Sequence, residues 1–359
     1  VACRLHLIDL PNHRKSHKGA IPLIGGLSAF IGLMVAWLMS SMPLADGYGL
    51  YLFCALVLVI IGAVDDAREI PASFRLGAQI LLGAVLSSGS GIYLNNFGNL
   101  FGLGIIGLAW LGPALTVAAV IGATNAYNMV DGIDGLAGSM SLVTLVSLAI
   151  LFSAPSGFDL ELALAVTIAM ALLPFMAANL QLPPFRRKIF LGDAGSLFIG
   201  FSIMWLLVNG TSIEGGAFRP VAALWVCAIP LMDMVSVMIR RVQKGQSMMM
   251  PDRNHLHHMF LRVGFSDRQA LVIITFMAVL FAVIGIAGEM LQIPEWFMFG
   301  LFMTLFFTYN WTISHAWRLA VLLRNNIETV DQSPESAAQP LASTARWAPK
   351  KALMSSSAR

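Results

Sequence analysis

The sequence predicts an all-α fold, a polytopic bundle of transmembrane helices with its chemistry at the cytoplasmic face. Of the 359 residues, 57% are hydrophobic and only 11% are charged, and long uncharged runs recur along the chain. The mean hydropathy of +0.77 lies far outside the range of soluble globular proteins. Lysine and arginine are concentrated in alternate loops, which gives the bundle a predicted orientation.

Ten apolar segments each approach the ~20 residues that cross the hydrocarbon core. In chain order they are 21–41, 49–64, 76–94, 105–126, 137–154, 162–180, 189–208, 220–239, 270–288 and 296–316. The chain opens on Val1, inside a basic loop, so we expect an eleventh span upstream. Residues 1–330 are predicted to form one integral membrane domain. The Ser-, Ala- and Pro-rich stretch 331–359 is predicted to be a disordered cytoplasmic tail.

The basic residues orient these spans. Of 22 Lys and Arg, 21 lie in the segments 1–20, 65–75, 183–188, 240–268 and 318–359, and Arg219 lies on the opposite side. The positive-inside bias makes those segments cytoplasmic and predicts a multi-pass membrane protein in contact with membrane lipids. The net charge of +3 reflects this sidedness and predicts no nucleic-acid partner.

Short acidic motifs stand at span ends on the predicted cytoplasmic side. Asp65 and Asp66 close a span in GAVDDAREIP, where two carboxylates can reach one site from neighbouring directions, although a solvated helix end is an equal alternative. Asp193, in IFLGDAGSLFIGF, is expected to be the acid least able to be solvated in place, which makes it costly unless it is paired or metal-bound. Asp233 lies deeper in its span, where support through an Arg or a hydroxyl group is favoured over metal ligation.

The motif NAYNMVDGIDGLAG is more specific. Asn125, Asn128, Asp131 and Asp134 recur at intervals of three, which would place them on one side of a helix. No basic residue lies in that loop to neutralise the acids, so the pattern predicts an external cation. The spacing excludes a calcium loop of the EF-hand type.

Two basic segments suit anionic oxygens. PDRNHLHHMF contains Arg253, His255, His257 and His258, which predict contacts to a nucleotide diphosphate. A zinc site is the rival reading, but the segment lacks the four Cys or His ligands that structural zinc uses. The first loop adds further phosphate-compatible side chains, Arg14, Lys15 and His17.

Taken together, the motifs resemble the polyprenyl-phosphate N-acetylhexosamine-1-phosphate transferase superfamily, and its bacterial N-acetylglucosamine branch most of all. The resemblance covers nearly the whole chain and rests on six elements in order: DLPNHRKSHKGAIPLIGG, DDAREI, NAYNMVDGIDGL, FLGDAGSLFIGF, IPLMDM and PDRNHLHH. The chain departs from the usual acidic motif at Ala67 and Glu69, which leaves a role for Glu69 open.

The resemblance implies a reaction and its participants. Undecaprenyl phosphate attacks the β-phosphorus of UDP-N-acetylglucosamine and UMP leaves, in the step that starts lipid-linked glycans of the cell envelope such as O-antigen. Mg²⁺ is the implied cofactor, with Mn²⁺ as an alternative, and a homodimer is left open. Asp193 is implied to ligate the metal, with Asn128 as a further ligand.

The resemblance also implies roles for the other residues. Asp65 and Asp66 are implied to orient or deprotonate the lipid phosphate, and Asp131 and Asp134 to complete the nucleotide and metal pocket. The substrate-binding set is Lys15, His17, Asn125, Asn128, Arg253, His255, His257 and His258.

Alternative functions stay open at this point. The donor could be another UDP-N-acetylhexosamine or a UDP-muramoyl-pentapeptide. A cation transporter would also gather acids, but near the bilayer midplane and on broken helices. An intramembrane aspartyl protease would need a GxGD element, and Phe190 occupies the position of its first glycine.

Overall fold

The computed structural model describes residues 7–9, 19–40, 47–212, 216–247 and 255–331, and for residues 212 and 316–331 the backbone alone. The predictions for Arg14, Lys15, His17 and Arg253, and for the tail after Asp331, lie outside these residues.

Helices dominate the described part of the chain. Two short strands, β1 (Ile8–Asp9) and β2 (Ile21–Pro22), pair antiparallel just before the first helix, with Ile8 opposite Pro22 and Asp9 opposite Ile21. The helices are α1 (Gly25–Met39), α2 (Tyr48–Arg68), α3 (Ala72–Ser90), α4 (Gly112–Val130), α5 (Leu136–Ser153), α6 (Asp159–Asn179), α7 (Gly192–Ser212), α8 (Pro220–Val226), α9 (Ala228–Gln243), α10 (Leu256–Val263), α11 (Asp267–Met290) and α12 (Glu295–Asp331). From His315 onward the chain forms a separate unit.

Helix α7 is the centre of the bundle. Its residues 194–211 are all buried, and α1, α2 and α4 all pack on it. Close approach requires glycine on α2, because a Cβ at Gly62 would lie 2.4 Å from the Ala194 Cα. Backbone contacts of this kind are typical of helix packing in membranes, where small residues let helices approach closely. The packing sets the end of α2 against the start of α7.

The helices confirm a polytopic membrane protein but do not support ten spans. Among the described residues, six helices are long and apolar enough to cross a membrane, or up to seven if one bent pair counts as a span. The six are α2, α4 (with the 3₁₀ turn before it), α5, α6, α7 and α11. Every predicted span contains a helix, but α1 is only 15 residues long, and α3 carries the polar side chains of Arg75 and Gln79.

The segment predicted as one span at 220–239 is broken. Helices α8 and α9 meet at Cys227 with a bend of 84°. Pro230 has no N–H to donate to the carbonyl of Val226 four residues earlier, so the helical ladder is interrupted there. The Thr144 hydroxyl of α5 donates to that carbonyl at 2.9 Å instead. The break therefore leaves no unsatisfied acceptor at Val226.

Candidate active site

Four helix ends converge on one group of polar side chains. Asp65 and Asp66 close α2, Arg75 lies in the first turn of α3, Asn128 lies near the end of α4, and Asp193 lies in the first turn of α7. The acidic motifs at 65–66 and 193 therefore do meet, from neighbouring directions, although 127 residues separate Asp66 from Asp193. We call Asp65, Asp66, Arg75, Asn128 and Asp193 the carboxylate cluster.

Asp66 holds the start of α7. Its carboxylate accepts hydrogen bonds from the backbone N–H groups of Asp193 at 2.8 Å and Ala194 at 3.2 Å. These groups have no partner inside the helix, and a negative charge at a helix N-terminus is favourable. Gly192 permits the contact, because its φ is +75° and a Cβ there would lie 2.5 Å from Asp66 Oδ2. Asp66 thus fixes the position of Asp193.

Arg75 bridges two of the acids. Its Nη1 lies 2.5 Å from Asp65 Oδ2 and 3.2 Å from Asp193 Oδ2, and Asp65 Oδ1 accepts from the backbone N–H of Ile70 at 2.8 Å. The expectation that Asp193 is the acid least exposed to water is wrong, because 31% of its side chain is exposed against 6% for Asp65. Sequence reasoning gave Arg75 no role. Its position in the sequence, ten residues after Asp65 and in the first turn of the next helix, could have indicated that it pairs with these acids.

Asn128 is hydrogen-bonded to Asp193 of the carboxylate cluster, whereas the Asn125 side chain bonds to residues outside the cluster. The Asn128 amide nitrogen donates to Asp193 Oδ1 and, at 2.9 Å, to Ser196 Oγ. The Asn125 amide nitrogen donates to Gln79 Oε1 at 3.0 Å and to the Ile121 carbonyl at 2.8 Å. Asn125 therefore ties α4 to α3.

Asp131 and Asp134 lie in the loop between α4 and α5. The Lys188 Nζ forms an ion pair with Asp134 Oδ2 and stands over the Phe190 ring at 5.3 Å from its centroid. Lys188, from outside this loop, thus gives Asp134 a cation from the protein, and Arg75 plays the same part for Asp65 and Asp193. An external cation at this motif stays a prediction. Lys188 lies 54 residues after Asp134, so the local sequence did not reveal this pair.

Asp131 is open to solvent on one side but is crowded by protein on the others. This desolvation, and then the negative charges of Asp66 and Asp134, raise the pKa of Asp131 to about 7. Its charge therefore changes close to neutral pH, unlike that of an ordinary surface carboxylate.

A pH-dependent contribution to stability follows. The folded chain holds the Asp131 proton more tightly than the unfolded chain, so the contribution of this group favours folding near pH 4 and is lost as pH rises towards about 7. Compared with the wild type, we expect Asp131→Asn to raise the thermal unfolding midpoint at pH 8 relative to the midpoint at pH 5. Asp159→Asn, at an exposed position at the start of α6, is the control. Parallel midpoints for the wild type and Asp131→Asn would contradict the assignment.

The histidine segment is anchored by Asp233. Asp233 Oδ2 lies 2.8 Å from His255 Nδ1, while its Oδ1 accepts from the backbone N–H of Leu256 and from the Tyr309 hydroxyl, both at 2.9 Å. Asp233 thus has the supporting place expected for it, with a hydroxyl group among its partners. His255 is held by this carboxylate at the start of α10.

His257 joins the histidine segment to the loop of Asp131. Its side chain is 2% exposed, and a Cβ at Gly132 would lie 2.1 Å from its Nε2. Its ring stacks on that of His255 at 5.9 Å and contacts that of His258 at 4.2 Å. Burial, with the neighbouring imidazoles, lowers the pKa of His257 to about 3, so this ring is neutral at physiological pH.

The donor chemistry of the carboxylate cluster fits Mg²⁺. Within the described ranges, no three His, Cys, Asp or Glu side chains are grouped to hold a metal ion by themselves. Mg²⁺ is usually bound by one or two carboxylates together with substrate phosphates and water. The Asp193 carboxylate and the Asn128 amide oxygen are donors of that hard type.

Comparison with known proteins finds relatives of the same kind that the motifs resemble. Residues 48–211 match Glycosyl transferase family 4. A protein from Yersinia pestis is 43% identical over 325 residues, which cover 90% of this chain and 88% of the relative. Proteins from Pasteurella multocida strain Pm70 (43% over 329 residues, 90% of each chain) and Escherichia coli K12 (42% over 332 residues, 90% and 88%) are similar. All three are named undecaprenyl-phosphate alpha-N-acetylglucosaminyl 1-phosphate transferase.

Proposed function

Because the chain belongs to glycosyl transferase family 4, within the polyprenyl-phosphate N-acetylhexosamine-1-phosphate transferases, we propose that it transfers N-acetylglucosamine 1-phosphate from UDP-N-acetylglucosamine to undecaprenyl phosphate. An oxygen of the lipid phosphate attacks the β-phosphorus of the donor. The bond from that phosphorus to the bridging oxygen breaks, and UMP leaves with the bond's electrons. The product is undecaprenyl-diphospho-N-acetylglucosamine.

The observation that carries the proposal is the carboxylate cluster, built from the ends of α2, α3, α4 and α7. Phosphoryl transfer is catalysed mainly by positioning and by neutralising charge. The cluster supplies the positioning, because Asp66 and Arg75 hold Asp193 from two sides, and a cation bound by its carboxylates would supply the neutralising charge. This arrangement favours a transferase over a cation transporter, whose sites lie near the bilayer midplane.

We assign the residues as follows. Asp193 and Asn128 would hold Mg²⁺, which when bound would neutralise charge on the diphosphate oxygens. Asp65 and Asp66 would orient the lipid phosphate, and a strong general base is unnecessary because the second pKa of a phosphate lies at about 6. Asp131 and Asp134, with His255, His257 and His258, would line the side of the nucleotide donor.

The charge pattern supports placing this site at the cytoplasmic face of a bacterial inner membrane. UDP-sugars arrive from water, whereas a prenyl chain stays in lipid, so the reacting phosphates must meet at an interface. Asp65 and Asp66 lie in one of the alternate segments that together carry 21 of the 22 Lys and Arg, as cytoplasmic loops do.

Purified protein should be offered a panel of radiolabelled UDP-sugars with undecaprenyl phosphate in membranes, and lipid-linked label and UMP should both be measured. We expect UDP-N-acetylglucosamine to be the preferred donor. Transfer from UDP-muramoyl-pentapeptide alone would overturn the donor assignment but leave the reaction class standing. Absence of UMP release with every donor would overturn the function itself.

Cysteine labelling tests the orientation. Arg219 is unsuitable as a probe, because its side chain bonds Glu289 Oε2 at 2.9 Å and the carbonyls of Ile293 and Gly288. The exposed Gly216 nearby avoids that loss. In a chain without its native cysteines, we expect Gly216→Cys to react with an impermeant thiol reagent in intact cells and Lys244→Cys to be protected. The reverse pattern would invert the orientation.

A further inference from the structure

A hairpin formed by residues 91–111 joins α3 to α4 at the end of the bundle opposite to the carboxylate cluster. The first turn of α3 carries Arg75 of that cluster, and the 19 residues of the helix rise about 28 Å away from it. In the hairpin, the Phe97 N–H donates to the Ile106 carbonyl and the Ile106 N–H donates to the Gly98 carbonyl, both at 3.0 Å. We call residues 91–111 the distal hairpin.

The tip of the distal hairpin is tied to the start of α12. The Asn99 N–H donates to Glu295 Oε1 at 3.0 Å, and the Asn99 side chain accepts from the Gly104 N–H at 2.9 Å. Phe101 packs edge-on against Phe299, with the ring centroids 5.7 Å apart. These contacts fix the position of the tip against the bundle.

The distal hairpin nevertheless exposes bulky apolar side chains. Leu103 is 93% exposed and Trp110 is 83% exposed, and Phe101 and Ile105 are exposed as well. The segment contains no Asp, Glu, Lys or Arg, whereas the loops before α2 and before α8 both carry charged residues. An exposed apolar surface of this kind marks a site of interaction with a membrane or another protein.

The position of this surface favours lipid. Helix α4 is long and apolar enough to cross a membrane, so its start, where the hairpin ends, lies at one boundary of the bilayer. Exposed apolar side chains of α3, such as Leu81 and Val85, lead up to the same boundary. Tryptophan is enriched at that level. The hairpin contributes Trp110, and the half-exposed Trp296 adjoins it, since a Cβ at Gly102 would lie 3.3 Å from Trp296 Cδ1.

We propose that the distal hairpin is an interfacial anchor, which inserts Leu103, Ile105 and Trp110 at the boundary between headgroups and acyl chains of the adjacent leaflet. Irregular backbone exposed to lipid does not occur in the hydrocarbon region, so the hairpin backbone lies among the headgroups and only its side chains reach the acyl chains. The hairpin has no Lys or Arg with which to select anionic headgroups, so its partner is the phospholipid surface in general. The anchor does not depend on the proposed function.

Spin-label accessibility tests the anchor without reference to turnover. In a chain whose native cysteines are replaced, nitroxide labels are attached at Leu103→Cys, at Ser156→Cys in the exposed loop after α5, and at Leu280→Cys on an exposed position of α11. The protein is placed in bilayers of phosphatidylethanolamine and phosphatidylglycerol. Collisions of each label with oxygen, which concentrates in lipid, are compared with collisions with a water-soluble nickel chelate. We expect the oxygen-to-nickel ratio at Leu103 to lie severalfold above the ratio at Ser156 and below the ratio at Leu280.

Three results of this measurement would overturn the anchor. A ratio at Leu103 equal to that at Ser156 would place the hairpin in water. A ratio equal to that at Leu280 would place it in the hydrocarbon core. Low collision rates with both reagents would show that protein covers the hairpin, and spin–spin broadening would then identify a second copy of this chain as the cover.

A charge on the hairpin provides a second test, read by a label at Trp110→Cys. Leu103→Asp should raise the nickel collisions of that label severalfold, because a carboxylate is costly among acyl chains and draws the hairpin towards water. Leu103→Ile is the matched control and should leave the collisions unchanged. Since Leu103 is almost fully exposed, neither change should lower the thermal unfolding midpoint in detergent. Unchanged nickel collisions in folded Leu103→Asp protein would contradict insertion of the hairpin.

Discussion

Asp193→Asn is expected to reduce transfer activity by at least about 10³-fold, a loss of about 4 kcal/mol in transition-state stabilisation. Asparagine keeps the shape of the side chain but removes its negative charge. It also places an NH₂ group opposite one of two donors, the Asn128 amide nitrogen or Arg75 Nη1. Both the proposed metal ligand and the balance of charge against Arg75 are lost. Activity should be measured as UMP release at saturating donor and acceptor.

The fold should survive this change. The Asp193 side chain is partly exposed, and Asp66 caps α7 through the backbone of residue 193, which the substitution retains. The thermal unfolding midpoint in detergent should therefore stay close to that of the wild type. Asp159→Asn, at the start of α6, should keep full activity. Near-normal turnover in a folded Asp193→Asn protein would contradict the assignment of Asp193 as a metal ligand of the active site.

Gly62→Ala is expected to damage both stability and activity. The added methyl group would lie 2.4 Å from the Ala194 Cα, and backbone cannot move aside as a flexible side chain can. Overpacking of this kind costs about 1–3 kcal/mol, so the unfolding midpoint should fall. Helix α2 must also shift from α7, which pulls the Asp66 carboxylate from the N–H groups of Asp193 and Ala194. We expect at least a tenfold loss of turnover.

Gly49→Ala on the same helix is the matched control, because no atom lies within 4 Å of a Cβ at that position. It should leave activity unchanged and slightly stabilise α2, since alanine is the better helix former. Equal behaviour of the two variants would show that the close contact with α7 does not position the site.

Much of the fold was readable from the sequence, because hydrophobic runs that must be buried in lipid are long and uniform. A helix lies in each predicted span. Hydropathy could not show the break in the helix at Pro230, because Pro230 lies in a run as apolar as any other. The Val226 carbonyl that the break frees is hydrogen-bonded by Thr144, which lies 86 residues before Pro230 in the sequence. The described helices support six or seven of the ten predicted spans, because hydropathy alone does not show that α1 is short or that α3 carries polar side chains.

The acids of the candidate site were also readable, since carboxylates at span ends are costly and stand out. Their partners were not. Arg75 and Lys188 look like ordinary positive-inside residues, and only the packed bundle shows them paired with Asp65 and Asp134. Asn125 fits the three-residue spacing of its motif, yet the helix turns its amide towards Gln79. Spacing predicts a shared side of a helix but not the neighbour that the side meets.

The break between α8 and α9 has a consequence for how the chain enters the membrane. With lengths of 7 and 16 residues, they rise about 10 Å and about 24 Å, so neither covers the ~30 Å core as a straight insertion unit. A bare Val226 carbonyl would cost several kcal/mol in lipid. Because Thr144 of α5 supplies its partner, the carbonyl is satisfied only when the bent pair is packed against α5. We therefore expect stable insertion of this segment to depend on its packing against α5 as well as on its hydropathy.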